Sequence, residues 1–481
     1  MKKSVTNNVI YNMLFQFFTT FLPVITTPYL SRTLGVEQSG VHSFVESIVT
    51  LFTIFGSIGT SLYACRKIAY VRDNKEELTN TTYEIILLKL LLLIPVSLIY
   101  IFAFCINQRF SIYFIINIMT IIGSAIEISW FFNGIEDFKL ITIRNIIVKV
   151  FFVISLFVFI KEPSDLWKYV LLVCLSNFLG NVSMWFILPK HINKLEKFKK
   201  YKPLKHIKES FLLFIPQSAN YIYSLSDKTM LGILTPTLNN VGLYDYGYRI
   251  VKMIISILQS IGYVILSRIA NLSANNNKDG IGKYINKSIK FSLFLGFPMM
   301  FGLIAISDNL IPLYLGNEFL EVAKIIKVIS PLVLLTSFNS ILGVQLLLAI
   351  KKDKEYTKAT VLGASVNIIL NLILIPLLGI YGACITSILS EFIVMILQLK
   401  YSKEYVNLIK VFKETKVYLI VSIIMYFICI ILGHINLNIL IVISLQIIIS
   451  VIVYIGLLLL LKDEVVTEII NKIIVIIKRK R

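Results

Sequence analysis

The chain has 481 residues, 57% of them hydrophobic and only 15% charged, with a formal net charge of +20. A soluble core of this length cannot hide so much apolar surface, which excludes a soluble globular protein and indicates an integral membrane protein. The basic residues fall in loops between apolar runs, not on a polar domain, which argues against nucleic acid as a partner.

The apolar runs reach the roughly 20 residues that a helix needs to cross ~30 Å of hydrocarbon, and they lack the short alternation of barrel strands. The expected fold is an all-α integral membrane protein with about fourteen transmembrane helices. In chain order the spans are expected at 9–32, 41–63, 83–106, 112–133, 143–160 and 166–188. After a basic connector they continue at 209–233, 242–266, 287–306, 322–349, 359–378, 380–399, 416–434 and 438–461. Lys2 and Lys3 precede the first span as they would in a secretory signal. Its apolar stretch is too long for one and no small-residue cleavage site follows, so it is expected to remain as an anchor.

One set of loops holds Arg66, Lys67, Arg72 and Lys75, then eight lysines between Lys190 and Lys208, and later Lys351, Lys352, Lys354 and Lys358. The opposite loops hold little beyond Arg109 and Lys161. This asymmetry follows the positive-inside rule, with the loop around Lys139 the sparse exception. It predicts a multi-pass membrane protein with both termini cytoplasmic, and contact between the basic loops and anionic membrane lipids. Five cysteines, an odd number without paired spacing, give no disulfide framework or metal site, and nothing in the pattern asks for a cofactor.

An internal repeat organises the chain. "SGVHSFVESIV" at 39–49 aligns with "VGLYDYGYRIV" at 241–251, sharing a glycine, an aromatic residue and a final Ile-Val. "CRKIA" at 65–69 is echoed by "SRIA" at 267–270. The expected domains are an N-lobe at 1–188, a connector at 189–208, a C-lobe at 209–400, an added helix pair at 401–461 and a basic amphipathic tail at 462–481. Parallel repeats of this kind, six helices each, build transporters with the substrate path in a central cavity. In the connector, Ile192, Leu195 and Phe198 suit either an interfacial helix facing lipid or a solvated linker.

Polar stripes mark the first two spans of each lobe. Asn12 and Gln16 lie on span 1, Glu46, Thr50, Thr53 and Ser57 on span 2, Gln217, Tyr221 and Ser224 on span 7, and Gln259 on span 8. Such residues often bond helix to helix, but four stripes at repeat-related positions point to a shared lining. Deep cations stand out more. Arg249 and Lys252 lie near midspan in span 8, and Lys149 lies deep in span 5. Lys89 and Arg144, nearer a span end, suit snorkelling to the headgroups. Asp227 falls at a depth similar to Arg249, so an ion pair between them is an equal alternative to a cargo role for Arg249. Glu127 and Glu391 are the deep acids, suited either to ion coupling or to pairing with a lysine. His42 fits a polar rim.

"VNIILNLILIPLLGIYGACITSILSE" at 366–391, "TPYLSRTLGVEQSG" at 27–40 and "SDKTMLGI" at 226–233 followed by "VGLYDYGYRIVK" together resemble the polysaccharide transporters. These are the Wzx-type flippases of the multidrug/oligosaccharidyl-lipid/polysaccharide exporter superfamily. The resemblance covers nearly the whole chain. It implies movement of undecaprenyl-diphosphate-linked oligosaccharide repeat units between leaflets, by alternating access of two lobes around a cationic cavity. It also implies partners among polysaccharide polymerase and assembly proteins. A lipid diphosphate needs Lys or Arg, which favours Arg249, Lys252 and Lys149 as its binding residues over the acid- or aromatic-dominated cavity of a drug exporter. A membrane polymerase or glycosyltransferase is the alternative from another class, but the loops show no paired-carboxylate, metal-ligand or phosphate-loop motif.

Overall fold

Among the described residues, every expected apolar segment lies on helix, apart from short breaks, in the computed structural model of the protein. The structure describes residues 5–106, 109–194, 201–259, 262–468 and 470–471. For 5–21, 216–217, 219–220, 222–224, 262–264, 267, 408–410, 412 and 414 it describes the backbone alone. Among the described residues there is no strand.

The helix α1 (Val5–Ser57) carries the first two expected spans, interrupted at Gly35 (φ 72°). A Cβ in that left-handed region costs roughly 1–2 kcal/mol, so glycine is the residue that lets the chain turn there. A second break, with Gly59 also left-handed (φ 68°), leads into α2 (Thr60–Val71). The next helix, α3 (Lys75–Tyr100), starts where the Asn74 side chain accepts from the Glu76 and Glu77 backbone amides, and it runs on into a π-helical turn over Ile101–Cys105. Then come α4 (Ser111–Ala125), α5 (Ser129–Gly134), α6 (Phe138–Phe159), α7 (Leu166–Trp185) and α8 (Ile207–Leu234). With the first residues of α9 (Asn239–Gln259) they form one unit, Met1–Gly242.

Two apolar clusters hold this unit together. One, around Tyr100, Phe114 and Leu156, joins α1, α3, α4, α6 and α7; the other, around Ile68, Trp130 and Phe131, joins α2, α3, α5 and the end of α7. The repeat-related glycines explain themselves by contact. A Cβ on Gly242 would come 2.9 Å from the Gly40 nitrogen, and one on Gly40 would come 2.0 Å from the Leu238 carbonyl oxygen. Neither position has room for a side chain.

The connector differs from both of its expected forms at the ends that are described. Ile192 faces neither lipid nor solvent but is buried in the second apolar cluster. The Asn193 amide donates to Thr79 Oγ1 (3.1 Å), and its carbonyl accepts from Tyr83 (3.1 Å). On the far side, Glu84 accepts from the Lys202 amide (3.0 Å), pairs with Lys205 (2.6 Å) and lies 3.1 Å from His206 Nε2. Tyr63 and His206 Nδ1 complete the network at 2.6 Å. Leu195 and Phe198 lie outside the described residues.

The second unit, Leu243–Arg481, contains the rest of α9 followed by α10 (Gly262–Ala274) and α11 (Lys278–Tyr314). A bent pair follows, α12 (Leu320–Ile329) and α13 (Leu332–Asn339), the latter extended by a π-helical stretch over Ser340–Leu348. Then come α14 (Asp353–Leu378), α15 (Ile380–Ser402), α16 (Leu408–Gly433) and α17 (Ile439–Leu460). The last two pack against α11, where Tyr454 donates to the Phe294 carbonyl (2.7 Å) and Phe294 meets the Tyr418 ring edge-on. After α17, Val466 is buried, and Glu464 and Glu468 pair with Lys290 and Lys287 of α11.

Ten described helices are long and apolar enough to cross a membrane, or eleven if Asn317–Ile329 and Leu332–Leu348, bent by 50°, count as one span. This is a multi-pass membrane protein. The count of about fourteen stays an expectation, because this number is of the described residues and takes α1 as one helix across Gly35. Moreover, no stretch of 18 residues in α9 escapes the three charges of Asp245, Arg249 and Lys252.

Candidate functional site

A buried charge pair in the first unit forms where one apolar segment breaks. Between α4 and α5 the chain leaves the helix at Ile126–Ile128, and Glu127 caps the start of α5. Its Oε1 accepts from the Ser129 amide (2.7 Å) and from the Ser129 hydroxyl, as expected of a carboxylate at a positive helix end. Lys89, only 1% exposed, donates to the Glu127 backbone carbonyl (2.7 Å) and to Oε2 (3.2 Å). Ser61 also donates to Oε2 (3.3 Å), and the Trp130 indole donates to the Glu127 carbonyl (2.9 Å). Lys89 therefore does not snorkel, because a carboxylate at its own depth satisfies it. The guanidinium of half-buried Arg144 likewise turns inward, with Nη2 2.8 Å from Met184 Sδ.

This pair forms part of the wall of a cavity of about 300 Å³. Thr53 and Ser57 of α1, Ser124 of α4, and Phe214, Ser218 and Tyr221 of α8 also line it. Tyr221 thus sits with the span 2 hydroxyls of the expected polar stripes. Glu46, further along α1, is 45% exposed and lies 3.9 Å from His42, whose ring meets Tyr169 edge-on. Asp227 is buried on α8, and Lys149 is half-buried on α6. The side chains of Asn12, Gln16, Gln217 and Ser224 lie outside what the structure describes.

In the second unit Arg249 and Lys252 occupy neighbouring positions on α9. Arg249 Nε donates to Asp245 Oδ2 at 2.7 Å, one helical turn earlier, and the Asp245 side chain is 3% exposed. Lys252 is exposed, with its Nζ 5.9 Å from the centre of the Tyr248 ring. That ring stacks on Tyr244, whose hydroxyl is 3.0 Å from Ser387 Oγ. Gln259 lines a separate cavity of about 260 Å³ with Lys287, Ser288, Ser292 and Gln345. Glu391 is buried and takes the Asn339 amide on its carboxylate and, at 2.9 Å, on its backbone carbonyl.

Pairing of Glu127 with a lysine was an expectation, but which lysine was not legible, and the Asp245–Arg249 pair was missed. The Lys89–Glu127 pair joins residues 38 apart with no periodic link between them. The Asp245–Arg249 pair was open to the sequence reading, because an i, i+4 spacing of opposite charges on a helix brings side chains together.

Residues 5–273, more than half of the chain, match the model of a family described as polysaccharide biosynthesis protein. The chain belongs to the polysaccharide biosynthesis protein family. Residues 213–377 of this family member also match the MatE model. Among its relatives, "Putative O-antigen transporter" of Escherichia coli K12 is 25% identical over 407 residues, covering 83% of this chain and 97% of that protein. "Probable low-salt glycan biosynthesis flippase Agl15" of Haloferax volcanii is 24% identical over 396 residues, 79% of each chain. Among solved structures, the lipid II flippase MurJ in an inward closed conformation superposes with a TM-score of 0.75 at 17% identity, covering 97% of this chain and all of that one. The polysaccharide biosynthesis protein described here therefore has a MurJ-like transporter fold.

Proposed function

We propose that the protein is a flippase that carries undecaprenyl-diphosphate-linked oligosaccharide units from the inner to the outer leaflet of a bacterial cell membrane by alternating access. The glycan would serve export of a capsule, exopolysaccharide or O-antigen type. The observation that carries this reading is the pair of cations on α9. Counted from Asn239, Arg249 lies about 15 Å and Lys252 about 20 Å along the helix, near the middle of a ~30 Å hydrocarbon layer. A cation at that depth costs roughly 2.5–3.5 kcal/mol on insertion scales, which Asp245 offsets for Arg249, and each charge-assisted hydrogen bond to a phosphate returns about 1.5–3 kcal/mol. Arg249 and Lys252, with Lys149 of the first unit, are assigned to the diphosphate. The names of the relatives in Escherichia coli and Haloferax volcanii support the same class of cargo.

Isotope-labelled glycolipid, followed across vesicles that contain only this protein, tests the reading. Arg249→Ala with Lys252→Ala should leave the protein in the membrane and abolish translocation, and Lys252→Arg should keep part of it because the charge remains. Normal translocation by the Arg249, Lys252 and Lys149 triple-neutral variant at matched protein level would overturn the assignment. The MatE match favours a second reading, an ion-coupled multidrug exporter. That protein would move organic cations through the same vesicles and leave the glycolipid in place.

A further inference from the structure

We propose that the cavity of the first unit is a subsite for the uncharged sugar rings of the cargo, an inference that rests on the flippase reading above. The chemistry of its wall suits a neutral ligand better than the diphosphate. Ser57 donates to the Thr53 carbonyl (2.7 Å), Ser124 to the Ile121 carbonyl (2.8 Å) and Ser218 to the Ile215 carbonyl (3.1 Å). Thr53 donates to the Thr50 carbonyl (2.8 Å), and Ser61 to the Glu127 carboxylate. A hydroxyl has one hydrogen and two lone pairs, so each of these groups keeps acceptor capacity after its hydrogen has been given to the protein. These serine and threonine hydroxyls thus offer acceptors where a phosphate would need donors.

Charge points the same way. Lys89 and Glu127 are the two charged groups of the lining, and they neutralise each other at 3.2 Å. A neutral wall rich in acceptors, without a net positive field, selects a neutral ligand that carries several hydroxyl donors. The same wall presents the aromatic rings of Phe214 and Tyr221, apolar surfaces suited to the C–H faces of a pyranose. Phe214 is held in place by Phe55, with ring centres 6.0 Å apart. At about 300 Å³ the space is at the small end of ligand pockets, which fits a short saccharide and not the polyprenyl chain. The sugars of the cargo are thereby read by the hydroxyls of the first unit.

The full-length protein in lipid nanodiscs tests this with two probes, undecaprenyl diphosphate and undecaprenyl diphosphate bearing one N-acetylglucosamine. The wild type should bind the glycosylated lipid about tenfold more tightly. Ser57→Leu, which fills the cavity, and Phe214→Ala, which removes a ring face, should each bring the two affinities within about twofold while binding of the bare lipid is unchanged. Unchanged binding of the bare lipid also reports an intact fold. A tenfold preference that survives both substitutions overturns the proposal, as does loss of both lipids by Ser57→Leu while Phe214→Ala still discriminates. Equal affinity of the wild type for the two lipids overturns the sugar subsite and leaves the flippase reading standing. A wild type that binds neither lipid removes the flippase reading, and this proposal with it.

Discussion

Replacing Lys89 by methionine keeps the side chain's length and removes its charge from a position that is 1% exposed. Glu127 would then hold its negative charge against the donors that remain, the Ser129 amide and hydroxyl and the Ser61 hydroxyl. Glu127→Gln does the reverse. It keeps an acceptor for Ser129 but leaves the buried Lys89 ammonium with only the residue 127 backbone carbonyl. Stranding one partner of a buried pair costs roughly 3–5 kcal/mol. The residual donors place Lys89→Met near the bottom of that range, at about 3 kcal/mol, and Glu127→Gln somewhat higher. The double variant removes both charges and should cost less than either single change, so the coupling in a double-mutant cycle should exceed the larger single cost, at more than about 3 kcal/mol. Thermal unfolding in detergent, followed by tryptophan fluorescence, reads this directly because Trp130 donates to the Glu127 carbonyl. Additive losses in the double variant, or single variants within about 0.5 kcal/mol of the wild type, would refute the reasoning.

Gly59→Ala should destabilise the first unit by about 1–3 kcal/mol, because its φ is 68° and a Cβ there would lie 2.7 Å from the Ser210 carbonyl oxygen. Limited proteolysis and the unfolding midpoint would show it, and an unchanged midpoint would count against the left-handed junction. Burial holds the His206 imidazole below its ordinary pKa of 6.5, and nearby Lys205 and Lys67 act in the same direction, against the opposing pull of Glu84. The unfolded chain then takes up a proton that the folded chain resists, so this contribution to stability is complete above pH 6.5 and lost as pH falls below it. His206→Asn should flatten the decline in unfolding midpoint between neutral and mildly acid pH, and an equal slope in both proteins would refute the link. Accessibility tags in the 189–208 connector and at both termini should report cytoplasm and a tag in 234–241 the opposite side. A C-terminal tag reporting the outer side would remove the even-span topology.

Helices were legible because apolar runs of membrane length admit little else: a strand inside hydrocarbon needs a partner on both edges. Their breaks were legible only in part. Gly35 and Gly59 are glycines at turns, but the break at Ile126–Ile128 lies in an unbroken apolar run and depends on Glu127, whose partner Lys89 is on another helix. The same blindness to distant partners made Lys89 look like a snorkelling residue. Depth along a span can be counted from sequence, but whether a carboxylate waits at that depth depends on packing. Arg249 shows the converse. Its i, i+4 acid Asp245 was readable, yet an acid at similar depth on the previous span drew attention first. The π-helical stretch at Ser340–Leu348 leaves no trace in composition, since one extra residue per turn changes the direction of side chains and not their character.

The staples on either side of residues 195–200 change what the connector is mechanically. A leash between two moving bodies stores slack, and its length sets how far they can part. Here the chain is tied to α3 before that stretch, through Thr79 and Tyr83, and again after it, through Glu84, so both anchors belong to the same unit. Residues added between these two anchors would cost only the slowly growing entropy of a longer loop. The polypeptide could be cut within it and supplied as two pieces, with Glu84 still holding the beginning of the second piece to the first.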